Sequence, residues 1–185
     1  IRIPGWAVDK PVPSGLYWFE KETTEKPALQ VNGVTVAYEM ENGYAVVNRT
    51  WKQNDVVELT LPMDVRRVVC NEKVSNNIGR VALQRGPVIY CAEWTDNDGK
   101  AGNILVPESA VFSSEYKPHM LNGVMTINAE LPVVEISNDI SLSTVKKKVT
   151  LIPYYSWANR GKGEMMIWFP ETIKDIEIIT QESTN

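Results

Sequence analysis

The single histidine, His119, excludes a good deal of chemistry at once, because neither a histidine-based metal site nor a nucleophilic triad can be assembled within the chain. It falls in Tyr116 to Asn122, a predicted loop, where a surface imidazole is expected. Cys70 and Cys91 show no CxxC spacing and no second pair, so they make neither a disulfide framework nor a metal cluster. Two buried free thiols are expected, with a single bridge as the other option. Asp96-Asn97-Asp98-Gly99 invites a calcium reading that fails on spacing. With Gly99 at the invariant glycine, the first ligand would be Trp94 and the closing bidentate glutamate would be Leu105. It reads instead as a turn.

Acid–base hydrolysis of a glycosidic bond takes two carboxylates about 5 to 9.5 Å apart. Glu93, Asp96, Asp98, Glu130, Glu135 and Asp139 are available, most in polar turn contexts where a carboxylate is ordinarily solvated. None is singled out as catalytic. No phosphate-cradling glycine loop and no GxSxG elbow occurs, and Asn48-Arg49-Thr50 fits a glycosylation acceptor that matters only in a eukaryotic secretory context. Six Trp and seven Tyr suit a carbohydrate-binding face, since rings stack on the C–H groups of a sugar. Tyr154, Tyr155, Trp157, Asn159 and Arg160 form the candidate patch, with rings for stacking and an Asn and Arg for hydroxyls. The competing structural reading buries alternate rings and makes Asn159-Arg160-Gly161 the turn itself.

The elements that must position these residues are strands. Gly79 to Glu93 organises the chain: Val81 to Leu83 and Val88 to Tyr90 flank Gly86-Pro87, as a central strand pair or one bent strand. Residues 1 to 27 are rich in Pro and aromatics, which predicts an ordered loop over a sheet edge. Asn32-Gly33 between Leu29–Val31 and Val34–Tyr38 predicts a two-residue hairpin. A turn at Glu41 to Gly43 leads to Tyr44–Asn48. Val57, Leu59 and Leu61 alternate with Glu58 and Thr60, and Val65–Cys70 follows. After the polar loop Thr95–Asn103, strands are predicted at Ile104–Val106, Val111–Phe112, Val124–Asn128, Val133–Ile136, Lys148–Tyr155, Met165–Phe169 and Ile173–Thr180. No twelve-residue stretch keeps a helical apolar period free of Pro and Gly, so helices should be short or absent.

The fold class is therefore all-β, two tandem antiparallel β-sandwiches. The predicted units are 1–75, incomplete at its N-terminal edge; 76–172, with the seam near 71 to 79; and 173–185, a strand returning to the first sandwich plus a tail. The 185 residues carry 19 Lys and Arg against 23 Asp and Glu, a net charge of −4 without a basic stripe, so no nucleic-acid partner is expected. Lys146 to Lys148 read as an exposed strand edge that discourages sheet-to-sheet association. No segment approaches the roughly 18 to 20 apolar residues of a membrane helix, and no membrane partner is expected. The chain opens on Ile1-Arg2-Ile3 without a leader, which predicts a piece of a longer polypeptide.

Ile1-Arg2-Ile3-Pro4-Gly5-Trp6-Ala7, Val31-Asn32-Gly33, Leu61-Pro62-Met63, Gly79 to Cys91 with Glu93, and Pro153 to Gly161 together resemble, in order and over nearly the whole chain, the C-terminal part of the β-L-arabinofuranosidase family of glycoside hydrolases, family 127. The resemblance implies an (α/α)6 barrel before residue 1 that carries catalysis, with this chain as a non-catalytic accessory region supporting that barrel and contributing to dimerisation with a second copy. It also implies a cysteine thiolate nucleophile near a zinc held by further cysteines and a glutamate. That motif uses an adjacent cysteine pair. Cys70 lies between Val69 and Asn71, and Cys91 between Tyr90 and Ala92, so no catalytic residue and no metal ligand carries across. The alternative is a carbohydrate-binding module using Trp157 and its neighbours on arabinose-containing sugars. A bacterial glycan-degrading parent favours a periplasmic or secreted location over a cytoplasmic one. Arg85 is expected to serve structure or an interdomain contact.

Overall fold

The computed structural model describes residues 1–137 and 141–176. Among them there is no α-helix, only strands and five short 3-10 turns. The strands of the first part are β1 (Tyr17–Phe19), β2 (Ala28–Val31), β3 (Val34–Thr35), β4 (Glu39–Glu41), β5 (Tyr44–Val46) and β6 (Val57–Thr60). Those of the second are β7 (Val65–Cys70), β8 (Arg80–Arg85), β9 (Val88–Glu93), β10 (Ser113–Lys117), β11 (Val124–Ile136), β12 (Leu142–Pro153), β13 (Met165–Met166) and β14 (Phe169–Pro170). All strand pairings are antiparallel.

Residues 27 to 61 build two small sheets, β3-β2-β6 and β4-β5. Their turns follow from local chemistry. Asn32 (φ 52°) with Gly33 (φ 74°), and Asn42 (φ 51°) with Gly43 (φ 84°), supply the paired positive φ values of a type I′ hairpin. The N-terminus joins the β4-β5 sheet, with Ile3 N–H donating to Gly43 O at 2.9 Å and Ala45 N–H to Ile1 O at 2.7 Å. Ile3, Ala7, Leu29, Val31 and Ala45 form the buried core between the layers.

The second sheet runs β1-β7-β8-β9-β12-β11-β10, with β13 on β9 and β14 on β8. The Gly79 to Glu93 stretch is a strand pair: β8 and β9 form a hairpin whose turn is Gly86-Pro87. Gly86 has φ 56° and proline holds its own φ near about −65°, the type II′ pattern. The pair holds from Arg85–Val88 to Leu83–Tyr90. Beyond that, β9 takes β13 at Ala92 and Glu93 while β8 takes β14 at Arg80 and Val81. The sheet thereby folds around a core that includes Val81, Leu83, Ile104, Ile127, Leu151 and Phe169.

Several predicted elements differ from the structure. Val124–Asn128 and Val133–Ile136 are one strand of 13 residues. Pro132 interrupts nothing, because its carbonyl accepts from Leu105 N–H at 2.9 Å, so its ring nitrogen faces the 103–105 segment and not β12. Ile104 makes an isolated bridge to Val133 in place of a strand, and Val111–Phe112 precede β10. Tyr17–Phe19, read as loop, is an edge strand on β7. Lys146 to Lys148 sit on the stretch of β12 that pairs with β11 only, β9 reaching no further than Leu151, as the edge reading expects. Ile173–Asp175 is a 3-10 turn, and positions 177 to 180 of the strand predicted there lie outside the described residues. The stretch 71 to 79, read as a seam, is a loop with a 3-10 turn at Ser75–Asn77 between the hydrogen-bonded strands β7 and β8.

Two adjacent arginines on β7 tie the parts together, their side chains leaving opposite faces of the strand. Arg66 pairs with Asp9 and lies over the Phe19 ring at 3.5 Å. Arg67 pairs with Glu20 and Glu171 and donates to the carbonyls of Val106 and Pro107 at 3.2 and 3.1 Å. Trp6 packs against both the first core and the cluster of Phe19, Val68 and Ala82. A methyl group at Gly86 would lie 2.7 Å from Met63 Sδ and 3.8 Å from the Trp6 ring, so the β8–β9 turn is itself a contact between the parts.

Candidate functional site

Strand β9 ends in Glu93, a carboxylate that is 1% exposed at the edge of an apolar core. Burial of an unpaired charge is costly, and its partner arrives from far along the chain. Arg160 Nε donates to Glu93 Oε2 at 3.0 Å and Nη2 to the same oxygen, while Ala158 N–H donates to Oε1 at 3.3 Å. Asp96 takes the other side of the guanidinium, with Oδ1 2.8 Å from Nη1 and Oδ2 2.5 Å from Nη2. Hydrogen bonding to Asp96 and then Glu93 raises the Arg160 pKa further. Ala158 adopts φ 68°, which costs a residue with a Cβ about 1 to 2 kcal/mol and is offset by aiming its N–H at the buried carboxylate.

The loop is fastened at a second point. Trp94 N–H donates to Glu164 O at 3.0 Å, and the Glu164 carboxylate accepts from the N–H groups of Ala101 and Gly102 at 2.9 and 3.1 Å. Those two hydrogen bonds hold its pKa below the ordinary 4.5. Gly163 lies against the face of Trp94, where a Cβ would stand 2.1 Å from the ring. Asn97 closes the floor by donating to Glu93 O and Thr150 O and accepting from Thr150 N–H.

On this anchored loop the rings are exposed, contrary to the reading that buries alternate ones: Tyr154 is 43%, Tyr155 71% and Trp157 39% accessible. Tyr154–Ser156 is a 3-10 turn, and residues three apart eclipse in that geometry. Tyr154 and Trp157 accordingly stack, with centroids 6.0 Å apart and planes 13° from parallel. The polar members of the patch are engaged internally. Asn159 Nδ2 donates to the carbonyls of Ser156 and Trp157, and Arg160 holds Glu93 and Asp96. The structure thus brings the three rings to one exposed turn and directs the Asn and Arg inward, so the patch can stack on a sugar ring but presents no aligned acid and base.

The remaining candidates are dispersed. Asp98 and Glu135 both contact Lys147, at 3.4 and 3.0 Å, Glu130 faces Lys148 in register, and Asp139 lies outside the described residues. His119 is exposed in the 118–123 connection between β10 and β11. Cys70 and Cys91 are free, Cys70 half-buried rather than buried. Burial first, and then the nearby Glu93 charge, push the Cys91 thiol up to about 12. A protonated thiol is neither nucleophile nor ligand at neutral pH. Cys91 is expected to resist alkylation in the native chain and react once denaturant unfolds it, which mass spectrometry of iodoacetamide-treated samples measures. Fast native labelling would contradict this placement.

Among the described residues no three His, Cys, Asp or Glu side chains group as a metal site. No helix among the described residues is long and apolar enough to cross a membrane. The convergence of Glu93 and Asp96 on Arg160 was not read from sequence. Its one signal was a glutamate closing an apolar strand, which demands a cation without saying which.

Two packed all-β units, with buried polar groups that fasten loops and an exposed aromatic turn, define a β-sandwich region. Residues 1–63 match the Beta-L-arabinofuranosidase, GH127 middle domain, and residues 65–170 the Glycoside hydrolase family 127 C-terminal domain. The chain belongs to glycoside hydrolase family 127. It is 32% identical over 186 residues to a non-reducing end beta-L-arabinofuranosidase of Bifidobacterium longum subsp. longum, covering 91% of this chain and 25% of that protein. A solved GH127 beta-arabinofuranosidase is similar at TM-score 0.88 and 38% identity, over 95% of this chain and 28% of that one. A GH127 beta-L-arabinofuranosidase from Geobacillus stearothermophilus T6 is similar at TM-score 0.75 and 34% identity, over 92% of this chain and 26% of that one. The chain spans about a quarter of the length of these relatives.

Proposed function

We propose that this chain is the accessory region of a β-L-arabinofuranosidase-type enzyme, buttressing an (α/α)6 barrel outside residues 1–185 that holds the nucleophile and the zinc. The observation that carries this reading is the alignment of 91% of the chain with only 25% of a curated relative, through matches to a middle and a C-terminal domain. The chain alone should not turn over an aryl β-L-arabinofuranoside, whereas the longer polypeptide should. Turnover by residues 1–185 alone would sink the proposal. Contact with a second copy is part of the same reading, supported by the exposed apolar residues Val111, Ile136 and Leu142.

The exposed, near-parallel Tyr154–Trp157 stack favours a second role, a stacking face for arabinose-containing oligosaccharides. Calorimetric titration of the chain should then show millimolar binding that Trp157→Ala weakens by about tenfold. Equal binding by the variant, or none by the parent chain, would remove this role.

A further inference from the structure

The first sandwich buries its core unevenly. Val31 pairs with Val34 on one side and Val57 on the other, so all three side chains lie on the face that carries Leu29 and Leu59 toward the core. Val31 is 2% exposed, yet Val34 is 66% and Val57 38%, with neighbouring Val56 at 57%. The β4-β5 sheet of the same unit repeats the pattern. Ile1 and Met40 share the inward face with Ile3 and Ala45 but are 47% and 48% exposed.

This end of the unit is not a loose hairpin. Asn32 Nδ2 donates to Asp55 Oδ1 at 2.8 Å, Val56 N–H to Asn32 Oδ1 at 2.9 Å, and Lys52 N–H to Asp55 Oδ2 at 2.9 Å, which fixes the β2–β3 turn to the segment before β6. A methyl group added at Gly33 would meet nothing within 4 Å, so the tip faces open space. The structure sets these apolar side chains on a core-facing register, ties the turn beside them by hydrogen bonds, and leaves them uncovered. Surfaces of that kind mark interaction sites.

We propose that the open end of this core, centred on Val34 and Val57, is the docking face for a domain of the same polypeptide outside residues 1–185. The proposal rests on the reading of this chain as an accessory region. The occupant follows from two observations. Similar proteins are about four times as long as this chain, so most of their polypeptide lies outside the matched part, and residues 1–63 match a domain named as a middle one. Five fully buried residues, with six partly buried ones packed against them, make a small core for this unit, and the second sandwich meets it at Trp6, Asp9 and Met63.

The test uses single-cysteine probes in residues 1–185 and in the longer polypeptide that carries them. Val34→Cys and Val57→Cys report the inward face. Glu58→Cys, on the outer face of the same sheet, is the control. Maleimide labelling, followed by peptide mass spectrometry, should slow at positions 34 and 57 by roughly tenfold or more in the longer polypeptide and change little at 58. Equal rates in the two proteins at 34 and 57 would overturn the proposal, as would protection in residues 1–185 alone that grows with concentration, which identifies a second copy as the occupant. Assaying the longer polypeptide for aryl arabinofuranoside turnover separates the failures. Activity with unprotected valines rejects this surface alone, and absence of activity rejects the accessory reading.

Discussion

Replacing Arg160 with alanine is expected to lower the unfolding free energy by about 3 to 5 kcal/mol, seen as a drop in the urea midpoint at unchanged slope. The size comes from what is left behind. Glu93 is 1% exposed and keeps only the 3.3 Å hydrogen bond from Ala158, while Asp96, whose side chain is 11% exposed, loses its partner as well. Lysine at 160 should recover only part, because a point ammonium cannot serve both carboxylates as the planar fork does. Pairing Arg160→Ala with Glu93→Leu should recover more, since it removes the buried charge itself. The aromatic turn gives an independent readout. The Tyr154–Trp157 stack rides on the segment that Glu93 holds through Ala158, so its near-ultraviolet circular dichroism should weaken in the single variant even where the chain is still folded. An Arg160→Ala chain with the parent's midpoint would show that the cluster anchors nothing.

Phe169→Ala is expected to cost about 3 to 5 kcal/mol for a different reason, a cavity in place of an abandoned charge. Phe169 is fully buried and pairs with Val81 on β8 at the place where β8 and β9 part. Its ring fills the core between strands that no longer hydrogen-bond each other, so truncation removes packing where the ladder offers least support, and the next residue's carbonyl, on Pro170, accepts from Val106 N–H at 2.9 Å. Leucine should recover much of the loss because it restores most of the volume. A loss of unfolding free energy below about 1 kcal/mol for the alanine variant would mean that the site collapses around the gap.

The turns at Asn32-Gly33 and Glu41 to Gly43 were legible because their cause is local: Asn-Gly can adopt paired positive φ at little cost. Gly86-Pro87 marked a break in the chain, but a strand pair and one bent strand stayed equally open until the β8–β9 register chose the hairpin. The family was legible for a related reason, the order of five short motifs along one chain. The unbroken run of β11 through Pro132 was not, because whether a proline interrupts a strand depends on which neighbour its missing N–H would face. Ile104 was apolar enough to look like a strand, yet the partner it found allows a single bridge.

The candidate patch divides the same way. The residue types at 154 to 160 were right for stacking on sugars, but their fate turned on geometry. A 3-10 turn eclipses Tyr154 and Trp157 and keeps both exposed, while Glu93, 67 positions before Arg160, draws the guanidinium inward. By itself the sequence determined an all-β chain, its tight turns and its membership of family 127, since periodicity, turn chemistry and motif order act over a few residues at a time. Only the tertiary structure decided which carboxylates are buried, which rings face water and which valines are left uncovered, because burial and charge pairing are set by contacts between residues far apart in the chain.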